Sequence, residues 1–231
     1  MTQPVEKIED IPNYPSVGSL KRHLGINSCR LCSLGFQPEI NGVCVARGSE
    51  LANKMIIGEA PGKEEDSTRT PFSGPAGRLM DDIWKSVGMN TNDWYITNVV
   101  LCRPYSPRGS GKENFTPKQD QRKQCKVYLD KQIELIKPKL IVTIGAVATE
   151  AILGTKGIKM GDYRGKLFRD RVISIKEDDN TVTIGRPFIF PMIHPAAILH
   201  AKGNQELYDL YREQTWKDIQ ELKRILEQEK I

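Results

Sequence analysis

The residues whose types and spacing allow chemistry fall into two groups, one of thiols and one of polar side chains at the ends of apolar runs. Cys29-x2-Cys32 puts two thiols two residues apart, a spacing that grips one metal ion or one side of a cluster. Cys102 and Cys125 follow after 69 and then 22 intervening residues and complete a four-thiolate set. Such a set fits structural zinc or an iron–sulfur centre, and spacing does not choose between them. Cys44 is the fifth cysteine and competes for a place. Cys125 lies in a helical pattern, where a buried small hydrophobe is the plain alternative.

The second group begins with Gly58-Glu59-Ala60-Pro61-Gly62, which ends an apolar run abruptly and leads into Glu64, Glu65 and Asp66. Runs of acid are usually solvated, but Glu59 leaves its run directly. Phe72, between Pro71 and Ser73-Gly74, shares no helical or strand period and offers either a stacking face or a loop anchor. Asn98 sits in an apolar run, where its amide is costly unless satisfied by backbone or by a ligand edge. His194 opens a His-Pro turn after another such run. Gly109-Ser110-Gly111-Lys112 imitates part of a phosphate loop, but Glu113 stands where Ser or Thr is needed, so that reading is rejected.

The elements that must position these groups are four near-continuous apolar runs, Lys54–Ile57, Tyr95–Val100, Leu140–Ile144 and Phe188–Ile193. Such runs suit strands buried on both faces. Between them lie helical patterns: Leu79, Met80, Ile83, Trp84 and Val87 on one face up to Gly88; a helix N-capped by Thr116-Pro117 and carrying Tyr128, Leu129, Ile133 and Ile136; and Ala146–Leu153. Val17–Leu24 predicts a short helix, and Tyr163–Ile184 a two- or three-strand excursion with an acidic turn at Glu177–Asn180. The closing helix, Gln205–Glu229, is expected to bury Leu207, Tyr211, Trp216, Ile219, Leu222 and Leu226. Alternation of strand and helix predicts an α/β fold: a three-layer α/β/α sandwich with a central four-stranded, mainly parallel sheet and a loop region holding the cysteines. In a parallel sheet Gly58–Gly62, Asn98 and His194 share the carboxyl edge, where such folds bind ligands.

The 231 residues fit one domain, residues 17–231, behind a flexible lead-in over 1–16. No run approaches the ~20 apolar residues of a membrane span. The polar, Pro-containing start does not read as a secretory signal, so a cytoplasmic location with reduced thiols is expected. A net charge of +5 is compatible with nucleic acid without requiring it.

With these residues assembled, the sequence resembles the uracil-DNA glycosylase superfamily, most closely its family 4 enzymes, which carry a [4Fe-4S] cluster. The likeness runs from about Cys29 to Leu199. It rests on Gly58-Glu59-Ala60-Pro61-Gly62 with Glu65-Asp66, on Pro71-Phe72-x-Gly74-x-Ala76-Gly77, on Tyr95-Ile96-Thr97-Asn98-Val99-Val100-x-Cys102-Arg103-Pro104, and on His194-Pro195-Ala196. The resemblance implies that Cys29, Cys32, Cys102 and Cys125 hold the cluster and Cys44 stays free. It implies hydrolytic removal of uracil from single- or double-stranded DNA, with the nucleotide flipped into a pocket. Gly58 and Ala60 would line that pocket, Phe72 would stack on the ring, Asn98 would read its polar edge, and His194 would stabilise charge at O2. Ala60 stands where other branches place Asp or Asn, so Glu59 or Glu65 must orient the water or stabilise the cation. Ser73, Gly74, Pro195 and Ala196 would approach DNA, with Ile198 or Leu199 wedging the gap left by the flipped base. No lysine matches a Schiff-base nucleophile, so no strand-cleaving step is expected. The loop from Pro104 to Thr116 is longer than the family's usual one and holds none of the histidine that traps a related branch on uracil. A monomer is expected, and a polymerase or clamp partner is left open, with nothing in the sequence to support it. A non-catalytic damaged-DNA binder and a redox-responsive iron–sulfur protein are the alternatives.

Overall fold

Each apolar run divides its side chains between two cores, and that division sets the architecture. The computed structural model describes residues 6–26, 29–37, 40–106, 114–169, 171–177 and 180–231. In chain order it contains α1 (Val17–Ile26), β1 (Arg47–Gly48), β2 (Lys54–Gly58), α2 (Lys63–Thr68), α3 (Pro75–Ser86), β3 (Tyr95–Asn98), α4 (Gln119–Ile136), β4 (Leu140–Ile144), α5 (Ala146–Leu153), α6 (Met160–Tyr163), β5 (Ile173–Glu177), β6 (Asn180–Gly185), β7 (Phe188–Met192), α7 (Pro195–His200) and α8 (Gln205–Glu229). Met55, Ile57, Tyr95 and Ile141 pack with Leu20 of α1 and with Tyr128, Leu129 and Ile133 of α4. Their neighbours Ile56, Ile96 and Val142 point the other way, onto Met80 and Trp84 of α3 and Ile219 and Leu222 of α8. Alternation along a strand between two covered faces produces the three-layer sandwich.

The sheet order is β1-β3-β2-β4-β7, with the last four strands parallel. β1 is a fifth strand, absent from the expected four. It pairs antiparallel with β3 through only Arg47 and Gly48, too short a stretch to show a period. The excursion after Tyr163 is a two-stranded hairpin, β5 and β6, paired outside the main sheet. Part of its turn (178–179), and the middle of the expected long loop (107–113), lie outside the described residues.

Two helix readings change. α4 starts at Gln119 rather than beside Thr116, because Lys118 N–H is capped by Gln121 Oε1 at 2.9 Å while the Thr116 hydroxyl has another partner, described below. On α8 the buried face is Thr215, Asp218, Ile219, Leu222 and Ile225, and Trp216 is 46% exposed. Trp216 lies one residue, about 100° of helix rotation, round from Thr215 and off that face. Tyr14, in the expected lead-in, is buried against the same core as α1 and α4. No helix among the described residues is long and apolar enough to cross a membrane.

Truncating the true core face should be costly and truncating its margin cheap. Ile219→Ala is expected to lose about 2–5 kcal/mol and Trp216→Ala less than about 1 kcal/mol, read from urea midpoints at constant slope. Equal losses would contradict the assigned face.

Candidate active site and thiol nest

β2 and β3 end in register, Gly58 opposite Asn98, and the chain beyond them stays paired. Val99 N–H donates to the Gly58 carbonyl at 2.9 Å and Val100 N–H to the Glu59 carbonyl at 3.0 Å. On the other side of β2, β4 and β7 finish together, and Gly145 N–H donates to the Met192 carbonyl at 2.9 Å, which places His194 at the same edge. A cleft of about 740 Å³ opens there, lined by Glu59, Ala60, Phe72, Asn98, Thr116 and His194 among others. This is within the usual range for small-molecule sites, about 300–1,000 Å³.

Gly58 is glycine because its neighbours leave no room. A Cβ there would lie 2.5 Å from Phe72 Cζ and would also collide with the Asn98 amide oxygen. Phe72 has φ +56°, rare for a bulky side chain, and is 5% exposed. Its backbone presses so closely on Gly77 that a side chain there would overlap the Phe72 carbonyl. The Phe72 ring lies nearly parallel to the His194 imidazole, centroids 6.0 Å apart and planes at 19°. Strain of this kind is held by the surrounding structure and gathers at functional sites.

Asn98 is 2% exposed, and among the described residues its amide makes no hydrogen bond, so its donors and acceptor remain available at the cleft wall. His194 caps α7: Ala196 N–H donates to its Nδ1 at 3.1 Å. An accepting Nδ1 puts the proton of the neutral ring on Nε2. Burial, with His200 nearby, lowers the His194 pKa to about 4, so the ring is a neutral donor across the ordinary pH range.

The three cleft carboxylates have different partners. Glu64 pairs with Arg78 at 2.9 Å. Glu65, a candidate for the water, has both oxygens occupied: Oε2 accepts Gly62 N–H at 3.1 Å and Oε1 accepts Gly74 N–H at 2.8 Å. It braces the two turns that flank α2 and α3, a role invisible in sequence because Gly74 is nine residues away. Among the described residues Glu59 has the Thr116 hydroxyl as its side-chain partner, and burial raises its pKa against the lowering effects of Arg122 and that hydrogen bond.

The expected DNA-side residues divide as well. Ser73 hydrogen-bonds to Thr70 and Thr68, and the Gly74 amide is committed to Glu65. Pro195 is the buried first residue of α7 and Ala196 lines the cleft. Ile198, 4% exposed, and Leu199 both line a separate groove of about 630 Å³ beside Trp216, and Leu199 borders the cleft as well, which favours it of the two wedge candidates. That groove holds none of Glu59, Asn98 or His194. Sequence reasoning missed Thr116, read as a helix cap.

Cys29, Cys32, Cys102 and Cys125 line one apolar cavity with Tyr128. Burial and mutual repulsion raise the Cys102 thiol well above its ordinary range, and burial raises Cys29 and Cys125. Among the described residues no three such side chains meet tightly enough for a single metal ion. Four thiols lining one cavity form a donor set for a thiolate-held metal centre. Two buried phenols, Tyr14 and Tyr128, act electrostatically on Cys29, yet neither hydroxyl has a well-formed hydrogen bond. Leu101 N–H already points at Cys125 Sγ, 3.4 Å away. A backbone donor at one sulfur and phenols beside another fit thiolates that hold a metal centre. Cys44 lies apart, its thiol donating to the Glu65 carbonyl at 3.1 Å and its pKa pushed up to about 12 by burial.

The fold and cleft define a doubly wound α/β protein with a cleft of small-molecule size at the carboxyl ends of its strands. The Uracil DNA glycosylase superfamily profile matches residues 45–220. The type-4 uracil-DNA glycosylase of Sulfurisphaera tokodaii is 35% identical over 84% of this chain and 80% of its own length. Those of Pyrobaculum aerophilum and Archaeoglobus fulgidus are each 32% identical, over 78% and 80% of this chain and 83% and 84% of their own. The chain belongs to the uracil DNA glycosylase superfamily.

If Glu65 is a brace, Glu65→Ala leaves two amides without their charged acceptor. It should destabilise the fold by about 1–3 kcal/mol in denaturant titration. Unchanged stability with lost activity would return Glu65 to the chemistry.

Proposed function

We propose that this chain is a monofunctional uracil-DNA glycosylase that hydrolyses the N-glycosidic bond of uracil in DNA, the first step in repairing deaminated cytosine. The observation that carries this reading is the meeting of a neutral His194 donor, an unsatisfied Asn98 amide, the Phe72 ring and the lightly partnered Glu59 at one cleft. In this reading the flipped uracil stacks on Phe72. The Asn98 oxygen accepts from N3–H and its nitrogen donates to O4. Cytosine presents the opposite pair there and loses both bonds. His194 Nε2–H donates to O2, where negative charge collects as the C1′–N1 bond breaks and uracil leaves as the anion. A neutral donor suits that task because it stabilises the oxyanion without first surrendering a charge to a buried site. Glu59 faces the oxocarbenium-like sugar; it takes a proton from the attacking water, whose oxygen bonds to C1′, and passes the proton to solvent. Ala60 supplies no acid, and Glu64 and Glu65 are engaged elsewhere, which leaves this task to Glu59.

A [4Fe-4S] cluster on Cys29, Cys32, Cys102 and Cys125 would supply a cross-link joining the segment before β1, the end of β3 and α4. Cys102 follows Asn98 by four residues, so the same link steadies the base-reading amide. Lys202, beyond Leu199, is exposed toward the groove and available to a phosphate. The binder alternative has the absent acid at Ala60 in its favour and is separated from the enzyme by product alone.

Purified, cluster-loaded protein should convert uracil-containing oligonucleotides to abasic sites that break only on alkali treatment. Tight binding without abasic product would overturn the enzyme reading. The pH dependence follows from the two shifted groups. Glu59 works as the anion and its pKa is raised, so the rate should fall as pH drops through a value above 4.5. His194, lowered to about 4, should add no inflection near the ordinary histidine pKa of 6.5. Because the folded pKa of Glu59 is raised, its contribution to stability is full below the unfolded value and is lost as pH rises. Glu59→Gln should therefore slow excision by about 10²–10⁴-fold while leaving the protein at least as stable near neutral pH. A histidine-like limb near 6.5, or loss of stability in Glu59→Gln, would contradict these assignments.

A further inference from the structure

Behind the turn that carries Phe72 runs a segment the reaction scheme does not use, residues 41–45. It follows the wall of the thiol cavity, which Val43 lines beside Leu101, Cys102 and Cys125. Backbone bonds fix it there: Cys44 N–H donates to the Leu101 carbonyl at 2.8 Å, and the Val45 carbonyl accepts the Thr97 hydroxyl at 2.7 Å. From this anchored stretch two contacts reach α2. The Cys44 thiol donates to the Glu65 carbonyl at 3.1 Å. Asp66, only 2% exposed, accepts Asn41 N–H at 3.1 Å through Oδ1 and the Asn41 side-chain amide at 2.9 Å through Oδ2. A carboxylate buried this deeply is costly unless its oxygens are satisfied, and bonds to an ionised acceptor are the strong ones.

On its other side α2 grips the turn itself. The Glu65 side chain takes Gly62 N–H and Gly74 N–H, the Glu65 carbonyl accepts Thr70 N–H at 3.2 Å, and the Ser73 hydroxyl donates to the Thr70 carbonyl at 3.0 Å. Phe72, with its left-handed φ, lies inside that bracket. A helix of six residues has little stability of its own, so α2 sits where its ties put it. Asp66 is not among the residues lining the cleft, yet it belongs to the helix that holds the cleft's aromatic wall. We propose that Asp66 is a positioning residue for base excision: it ties α2 to the segment anchored on the thiol cavity and so holds the Phe72 ring where the base stacks. The last step rests on the reading of Phe72 given above.

The test uses cluster-loaded, full-length protein and reads two things, amide hydrogen exchange without ligand and the affinity for free uracil. Asp66→Asn keeps the size of the side chain but removes its charge and turns an amide donor toward the Asn41 donors. It should speed exchange across residues 62–77 about tenfold and weaken uracil binding about tenfold, while exchange in α8 and the visible absorbance stay as in the wild type. Asn41→Ala removes one bond at an exposed position and should move the same amides in the same direction by a smaller factor, a reading that stands even if Asp66→Asn does not fold. In a Phe72→Leu background, Asp66→Asn should add almost nothing to the loss of uracil affinity. Unmoved exchange across 62–77 in both variants, or an Asp66→Asn loss of affinity that is full size without Phe72, would overturn the proposal. If the wild type neither binds uracil nor excises it, the uracil reading of the cleft fails instead, and the exchange measurement still decides whether Asp66 holds the turn.

Discussion

The structure depends on the absence of a side chain at Gly58. The Phe72 ring and the Asn98 amide both occupy the space where a Cβ would stand. Without that space the aromatic face and the Asn98 amide could not converge at the end of β2. Much of the surrounding backbone serves this approach. Phe72 accepts a left-handed φ, Gly77 gives way to the Phe72 carbonyl, and Glu65 ties the turns before α2 and α3 together through two amides. Central strands supply the rigidity, since β2 lies between β3 and β4 in a sheet covered on both faces.

A site of this kind is costly to the fold. Glu59 and His194 are both desolvated, one pushed toward its neutral acid and the other held as a neutral base, and the buried Asn98 amide makes no hydrogen bond among the described residues. Each arrangement is a local conflict that a bound base would resolve, by stacking, by hydrogen bonds to an amide edge, and by an oxyanion opposite Nε2. Conflicts with local rules concentrate at working sites because stability elsewhere can carry them. The thiol nest has the same character. Raised thiols beside buried phenols are poor packing for a core, and good packing around a thiolate-bound centre.

Much of this was legible in the sequence, for physical reasons. Buried parallel strands must be apolar on both faces, so Leu140–Ile144 and the runs around Met55, Ile96 and Phe190 were readable, as were Ala146–Leu153 and Gln205–Glu229 between clear caps. The carboxyl-edge rule then placed Gly58, Asn98 and His194 together before any contact was known. What was not legible depended on partners distant in sequence. β1 is two residues long and exists through its pairing with β3. Thr116 looked like a helix cap because a hydroxyl before Pro-containing turns usually is one, and nothing local announces that it faces Glu59. Glu65 and Glu59 were indistinguishable until the amides of Gly62 and Gly74 claimed one of them. Ile198 and Leu199 are adjacent and alike, and only the fold sets both on one groove and leaves Leu199 alone at the cleft as well.

The central claim is that one cleft reads the base from three sides, and the most direct measurement is the structure of the protein with free uracil bound. The account predicts the ring lying on Phe72, O2 against His194 Nε2, and N3–H and O4 on the Asn98 amide, with Glu59 left on the side where the sugar would stand. Uracil seated in the groove beside Trp216, or in the cleft with its polar edge turned away from Asn98, would contradict it.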